Sequence, residues 1–134
     1  MKFRYSIDSQ RQVIFQSFEG DFTVQQLIAC IERLWSDPEY HRSFRGIVDL
    51  SAMGTGAIVL ELPALLKFLK GNPRLSQGRW AAIATTPMAT AASLLYRQDI
   101  APEQTFGVFS TWEAACAFLQ VDLERPALRE YDVV

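Results

Sequence analysis

Residues 46–56, GIVDLSAMGTG, join a short apolar run to a polar segment that contains glycine. The apolar and β-branched residues of 46–50 are typical of a central strand that is buried on both faces. Asp49, Ser51 and Thr55 follow one another closely, and two glycines flank the threonine. We therefore expect a buried strand that ends in a loop, and we expect functional chemistry, if present, in that loop.

Strands and helices alternate on either side of this stretch. Two runs with period-two alternation, at 3–7 and 13–18, predict a strand, a turn and a second strand. Helical and strand patterns then alternate, with further strands expected at 80–85 and 105–109. This alternation is typical of parallel strands joined by right-handed crossovers. The sequence thus predicts an α/β fold with element order ββαβαβαβα, a mostly parallel central sheet and helices on both faces.

Hydroxyl residues mark the expected starts of three helices. Thr23 has Gln26 three residues on, which is the spacing of a capping box. Thr86 is followed by proline at the first helical position, where proline is well tolerated. Ser110 has Glu113 at the capping-box spacing. These positions predict that helices begin just after 23, 86 and 110.

The position of Pro63 and the spacing of apolar residues predict where one further helix begins and which face of another packs on the core. Pro63 suits the first turn of a helix, where its missing N–H costs nothing, so residues 57–62 receive no assignment. The helix that begins after Thr86 is expected to place one apolar stripe on the core, made of Met88, Ala91, Ala92 and Leu95.

Composition and charge narrow the class of protein. The 134 residues are 49% hydrophobic and 21% charged, which suits one globular domain with a sizeable core. We expect this domain to span residues 1–120, with a polar C-terminal tail or docking arm at 121–134. The 13 basic and 15 acidic side chains do not offer the concentrated basic face that nucleic acid binding needs.

Cysteine usage and hydropathy bear on cofactors and location. Cys30 and Cys116 lie far apart within helical patterns, which indicates neither a disulfide framework nor a zinc cluster. We interpret both as small core residues in a reducing compartment, and we expect no cofactor and no metal. No apolar run approaches the ~20 residues of a membrane span, and the first residues do not resemble a secretory signal. A soluble, cytoplasmic protein without a membrane partner is expected.

Three local signatures accompany this order of elements. They are the Asp49-Leu50-Ser51 end of the third strand, the segment 36–40 (SDPEY), and the segment 106–109 (FGVF) that leads into Trp112. Over residues 1–120 the combination resembles the SpoIIAA-like superfamily, whose better-known members are STAS domains of bacterial anti-sigma factor antagonists and sulfate-transporter tails. The resemblance implies a regulatory domain that binds a protein partner and is switched by a phosphorylated serine.

The residues that match the family's phosphorylation segment are 53–56 (MGTG), which contain no serine. The resemblance therefore transfers the site to Thr55, and to Ser51 beside it. Because this serine is missing, the chain is more similar to the uncharacterised single-domain bacterial branch of the superfamily than to a working antagonist.

Polar side chains are expected at the carboxyl ends of all the parallel strands, where ligands of open sheets bind. One hypothesis is a regulatory or ligand-binding loop at Asp49, Ser51 and Thr55. A strand-end pocket would add three further hydroxyl side chains, Thr85, Thr86 and Ser110. The alternative is that Thr86 and Ser110 only cap helices, which we favour, and that Asp49 organises its loop. Likewise Trp35, Trp80 and Trp112 could form an apolar pocket, but all three fall on predicted core faces.

No nucleophile and base are recognisable as a pair, so we expect a protein that is not an enzyme. The first hypothesis is a regulatory or protein-interaction domain that resembles an anti-sigma factor antagonist without the usual phosphoserine motif. The second is a small-molecule or lipid-binding carrier, because the core is aromatic and the apolar stretch 57–69 could form a lid. A hydrolase that uses Asp49 or Ser51 is a weaker third. A protein partner is expected, and a homodimer through an exposed helix or the C-terminal arm is compatible with the sequence.

Overall fold

The computed structural model describes residues 1–54 and 56–131. The first nine elements follow the predicted order, and a short tenth strand is added at the C-terminal end. The elements are β1 (Lys2–Asp8), β2 (Val13–Asp21), α1 (Val24–Trp35), β3 (Arg45–Gly54), α2 (Gly56–Lys70), β4 (Arg79–Ile83), α3 (Pro87–Ile100), β5 (Thr105–Phe109), α4 (Trp112–Leu119) and β6 (Arg129–Tyr131).

The strands form one mixed sheet in the order β5-β4-β3-β2-β1-β6. The pairs β2–β3, β3–β4 and β4–β5 are parallel, because a helix crosses over between the two strands of each pair. The pairs β1–β2 and β1–β6 are antiparallel. The α/β class and the parallel central strands are therefore confirmed.

Buried side chains divide into two clusters. The larger contains residues of α1, α2 and α3, and the smaller contains residues of α4. Neighbouring residues of β2 contribute to different clusters, Ile14 to the larger and Phe15 to the smaller. This division follows from the strand geometry, since successive side chains point to opposite faces of a sheet.

The central strand β3 is longer than the sequence indicated. It was expected to end at 50, but it continues to Gly54 because the far end of β2 remains paired with it. The pairing shifts register between Ser17 and Glu19, as at a β-bulge, and then joins Glu19 to Ala52 and Asp21 to Gly54. Most of the expected loop is thus strand.

The expectation for Pro63 is wrong, because α2 begins at Gly56 and carries this proline in its interior. An interior proline costs about 3 kcal/mol through a lost hydrogen bond and a steric clash. Pro63 lies on the exposed side of α2, whereas Ile58, Leu62 and Leu65 are buried. Burial of such side chains contributes about 1.5–3 kcal/mol each, which outweighs the cost of the proline.

The inner face of α3 also differs from the expectation. Met88 and Leu95 are 51% and 45% exposed, whereas Ala89, Ala92 and Ser93 are buried. Small side chains allow the helix to approach the sheet closely, and the Ser93 hydroxyl donates a hydrogen bond to the Ala89 carbonyl at 2.7 Å. A polar residue therefore occupies a core position, and larger apolar residues face outward.

The C-terminal segment lies against the domain as far as residue 131. The Trp112 indole N–H donates to the Leu123 carbonyl at 2.7 Å, and β6 pairs with β1 to form one edge of the sheet. The Tyr131 ring stacks on Tyr5 with 4.5 Å between ring centroids. The remainder of the predicted tail or arm, at 132–134, lies outside the described residues.

Candidate functional site

Asp49 is a buried carboxylate in the middle of β3, with 7% of its surface exposed. Its Oδ1 accepts hydrogen bonds from the backbone N–H and the hydroxyl of Ser51, at 2.9 and 2.6 Å. Its Oδ2 accepts from Arg125 Nη1 at 2.8 Å. Burial opposes ionisation, but the bonds from Ser51 and the charge of Arg125 outweigh it, so the pKa of Asp49 lies below its usual value.

Of the three residues predicted for the loop, the structure describes Asp49 and Ser51. Ser51 is exposed within β3, and its hydroxyl is engaged by Asp49. Thr55, to which the family's phosphorylation site was transferred, lies outside the described residues. The structure therefore brings Asp49 and Ser51 together, and it adds Arg125 from the C-terminal segment as their neighbour.

The three hydroxyl residues after β4 and β5 are all exposed. Thr86 caps α3, since its side chain accepts a hydrogen bond from the Ala89 N–H at 3.1 Å, as predicted. Ser110 does not cap α4; the N-cap is Thr111, which accepts from the Ala114 N–H. Burial of Trp112 and the stripe that follows it sets the helix start one residue later than the capping-box pattern indicated.

An apolar cavity of about 170 Å³ is bordered by side chains of β2, β3, β4 and β5 and of α1, α2 and α3. Its walls include Trp35 and Trp80, two of the three tryptophans that were interpreted as core, and both are buried. The side chains that line it also come from α2 and α3, including Ile58, Leu62, Leu65, Ala92 and Tyr96. Among the residues that the structure describes, none that lines the cavity carries a formal charge.

A chain of hydrogen bonds borders this cavity. The Tyr96 hydroxyl donates to Gln104 Oε1 at 2.9 Å, and Gln104 Nε2 donates to the Ser76 carbonyl at 3.0 Å. The Trp80 indole N–H donates to the Ser76 hydroxyl, which donates in turn to the Phe44 carbonyl. Burial raises the pKa of Tyr96, so its phenol stays protonated at neutral pH. This network holds polar groups at the wall without leaving them unpaired.

Gln16 is one of the site residues that the sequence interpretation missed, together with Arg125 and the hydrogen-bonded residues at the cavity wall. It lies on β2, is 8% exposed and lines the cavity, and its Oε1 has no hydrogen-bond partner among the described residues. A signal for it exists in the sequence, because Gln16 alternates in phase with Ile14 and Phe18 and so occupies a core-facing position. A polar side chain in such a position requires an explanation.

A second, polar groove of about 460 Å³ runs beside the C-terminal segment. Its lining includes side chains of both charges, the cations Arg11 and Arg125 and the anions Asp8, Asp122 and Glu124. Arg11 pairs with Asp8 at 3.1 Å, and Arg125 pairs with Asp49, so both cations are already engaged. Thr85, Thr86 and Ser110 line neither the apolar cavity nor this groove.

The two cysteines are free and buried, which confirms the interpretation that they are core residues. Burial raises the pKa of the Cys30 thiol to about 12, and it also raises that of Cys116. Both thiols therefore stay protonated at neutral pH, and a thiolate is the reactive form.

Comparisons with models of protein families, with curated proteins and with solved structures found no significant match to this chain. None of the helices formed by residues 1–54 and 56–131 combines the length and the apolar character that crossing a membrane requires. The molecule is thus defined by its own geometry: an α/β domain with a mixed sheet, an apolar cavity and a buried carboxylate tied to its C-terminal segment.

Proposed function

We propose that this chain is a binding domain that takes a small apolar molecule into the cavity between the sheet and α1, α2 and α3. The observation that carries the proposal is the cavity itself, which has a volume of about 170 Å³ and whose described lining residues carry no formal charge. Protein interiors are close-packed and contain few voids larger than a water molecule. A dry cavity of ~150 Å³ with similar apolar walls is known to bind benzene.

A ligand there also has a thermodynamic rationale. When the cavity is empty, its walls expose apolar surface to water. A bound apolar molecule covers this surface and removes its own surface from water, so both changes favour binding.

Two alanine substitutions on α3 test the proposal as a matched pair. Ala92 is 8% exposed and lines the cavity, whereas its neighbour Ala91 is exposed. Ala92→Leu fills part of the cavity, and Ala91→Leu adds the same atoms to the surface. Small aromatic molecules should raise the melting temperature of the wild type and of Ala91→Leu, but not that of Ala92→Leu.

Native mass spectrometry of gently purified wild-type protein provides the second readout. A bound molecule of low mass that is absent from Ala92→Leu supports the proposal. An equal thermal shift in both variants, together with ligand-free wild-type protein, would refute it.

A protein-interaction surface is a second candidate, and the exposed apolar side chains of α2 and α3 favour it. Leu60 is 84% exposed, and Met88, Leu94 and Leu95 are 41–51% exposed. Exposed apolar patches often mark interaction surfaces. Sedimentation across a concentration range tests self-association: a homodimer has twice the 15.2 kDa chain mass, and Leu95→Lys should weaken it. A constant single-chain mass would exclude the homodimer, and a partner-binding regulatory role would then need a different protein.

For the architecture we propose the SpoIIAA-like arrangement, with helices on both faces of the sheet. The support is the division of the buried side chains, in which Ile14 and Phe18 share a cluster with α1, α2 and α3, and Phe15 and Ile47 share one with α4. An experimental structure in which all four helices lie on one face would overturn it.

A further inference from the structure

Gln16 places an amide in the middle of the apolar wall. It lies between Ile14 and Phe18 on the same side of β2, opposite Tyr5 of β1 and Val48 of β3. It is 8% exposed, and its Oε1 has no hydrogen-bond partner among residues 1–54 and 56–131. Buried polar atoms are nearly always paired, so this acceptor points to a partner from outside the described chain.

The other polar side chains at the cavity have partners within the protein. Tyr96, Gln104 and Ser76 form the hydrogen-bonded chain at the cavity wall, and Ser93 donates to the Ala89 carbonyl. Each of these side chains therefore has a hydrogen-bond partner among the described residues. Gln16 is therefore the polar group best placed to orient a ligand.

The walls also limit the charge and the size of that ligand. No lining residue in 1–54 and 56–131 whose side chain is described carries a charge that could compensate an ion, and an unpaired buried charge is strongly unfavourable. The volume of about 170 Å³ suits a molecule of roughly benzene to phenol or indole size. A hydroxyl or ring N–H on such a molecule supplies a donor without adding charge.

We infer that the molecule bound in this cavity is neutral, of about one substituted aromatic ring or a short aliphatic chain, and donates one hydrogen bond to Gln16 Oε1. The inference rests on the proposed function and deepens it, because it assigns the ligand's polar group and the residue that selects it. The amide is a specificity determinant, since its acceptor is left unpaired when the ligand lacks a donor.

Phenol and toluene form a matched pair of probes. They have the same number of non-hydrogen atoms and nearly the same shape, and they differ in a hydroxyl against a methyl group. Dissociation constants for both are measured by calorimetry with the wild type, with Gln16→Met, and with Gln25→Met as a control at an exposed glutamine of α1.

The quantity to compare is the ratio of the two dissociation constants, because it cancels the general effect of each substitution on the cavity. Gln16→Met should shift this ratio by about tenfold toward toluene, as expected for one buried hydrogen bond. Gln25→Met should leave the ratio at its wild-type value. A ratio unchanged in Gln16→Met overturns the inference while leaving the proposed function intact.

Two further outcomes are informative. If neither probe binds the wild type, both the proposed function and this inference are overturned. If Gln16→Met does not fold, the wild type alone decides the question by nuclear magnetic resonance of the Gln16 side-chain amide. Phenol should shift these resonances and toluene should leave them nearly unchanged; equal responses to both probes contradict the inference.

Discussion

Two buried glutamines, Gln16 and Gln104, should respond to the same substitution with opposite signs. They are 8% and 7% exposed, and both line the apolar cavity. Gln104 accepts from Tyr96 and donates to the Ser76 carbonyl, whereas Gln16 Oε1 has no partner among the described residues. Replacement by methionine keeps the length of the side chain and removes the amide in both cases.

The magnitudes follow from the cost of unpaired polar groups, which is about 1–3 kcal/mol each when buried. Gln16→Met removes one such group, so the free energy of unfolding should rise by about 1–3 kcal/mol. Gln104→Met leaves the Tyr96 hydroxyl and the Ser76 carbonyl unpaired, so the free energy of unfolding should fall by about 2 kcal/mol or more. For a chain of this size, 1 kcal/mol corresponds to a melting temperature change of about 3–4 °C.

The assay is urea denaturation followed by tryptophan fluorescence, on protein that has been unfolded and refolded to remove any copurified ligand. Equal slopes of the unfolding free energy against urea would establish that the variants differ in stability and not in compactness. Gln16→Met with a loss of stability as large as that of Gln104→Met would refute the reasoning, because Gln16 would then make hydrogen bonds that the structure does not contain.

Two other predictions concern the Asp49–Arg125 ion pair and the N-terminal cap of α4. Arg125→Ala should lower stability by up to about 1 kcal/mol at neutral pH, because the arginine is half exposed. Folding lowers the pKa of Asp49, so its contribution to stability is present above the unfolded pKa of about 3.9 and is lost as pH falls through the folded pKa. The urea midpoints of the wild type and of Arg125→Ala should therefore converge below about pH 4. A constant difference down to pH 2 would exclude the ion pair as its cause. Thr111→Ala should lower the free energy of unfolding by about 1 kcal/mol through loss of the α4 cap, whereas Ser110→Ala should change the unfolding midpoint little. A larger loss of stability in Ser110→Ala than in Thr111→Ala would indicate that Ser110 is the cap.

Local sequence patterns predicted the parts of the fold that local chemistry determines. Thr23 and Gln26 form the expected capping box, and Thr86 caps α3 directly before proline. The strand 105–109 has the predicted bounds, because a short β-branched and aromatic run between turn residues leaves little choice. These features depend on neighbours within a few positions of the chain.

The predictions that were wrong concern features that depend on contacts between residues far apart in the sequence. Pro63 lies inside α2 because apolar residues before and after it are buried together, which a local rule for proline does not include. The inner face of α3 is made of Ala89, Ala92 and Ser93, and a pattern that seeks large apolar residues selects Met88 and Leu95 instead. Tertiary packing overrode local preference in both helices.

The candidate site was predicted only in part for the same reason. Asp49 was expected to organise its surroundings, and it does bind Ser51, but its partner Arg125 lies 76 positions further along the chain. The cavity has no motif, since it arises where side chains from several elements do not fill the space between them. The position of Gln16 on the core side of β2 could have been predicted, because the strand pattern places it in phase with Ile14 and Phe18.

The central claim, that the cavity binds a small neutral molecule, is tested most directly by a phenol titration of protein with ¹³C-labelled methyl groups. Methyl resonances of Ile58 and Leu62, which line the cavity, should shift and saturate, whereas those of Ile47 and Ile83 in the smaller cluster should stay nearly fixed. Shifts that never saturate, or that are equal in both clusters, would contradict the claim.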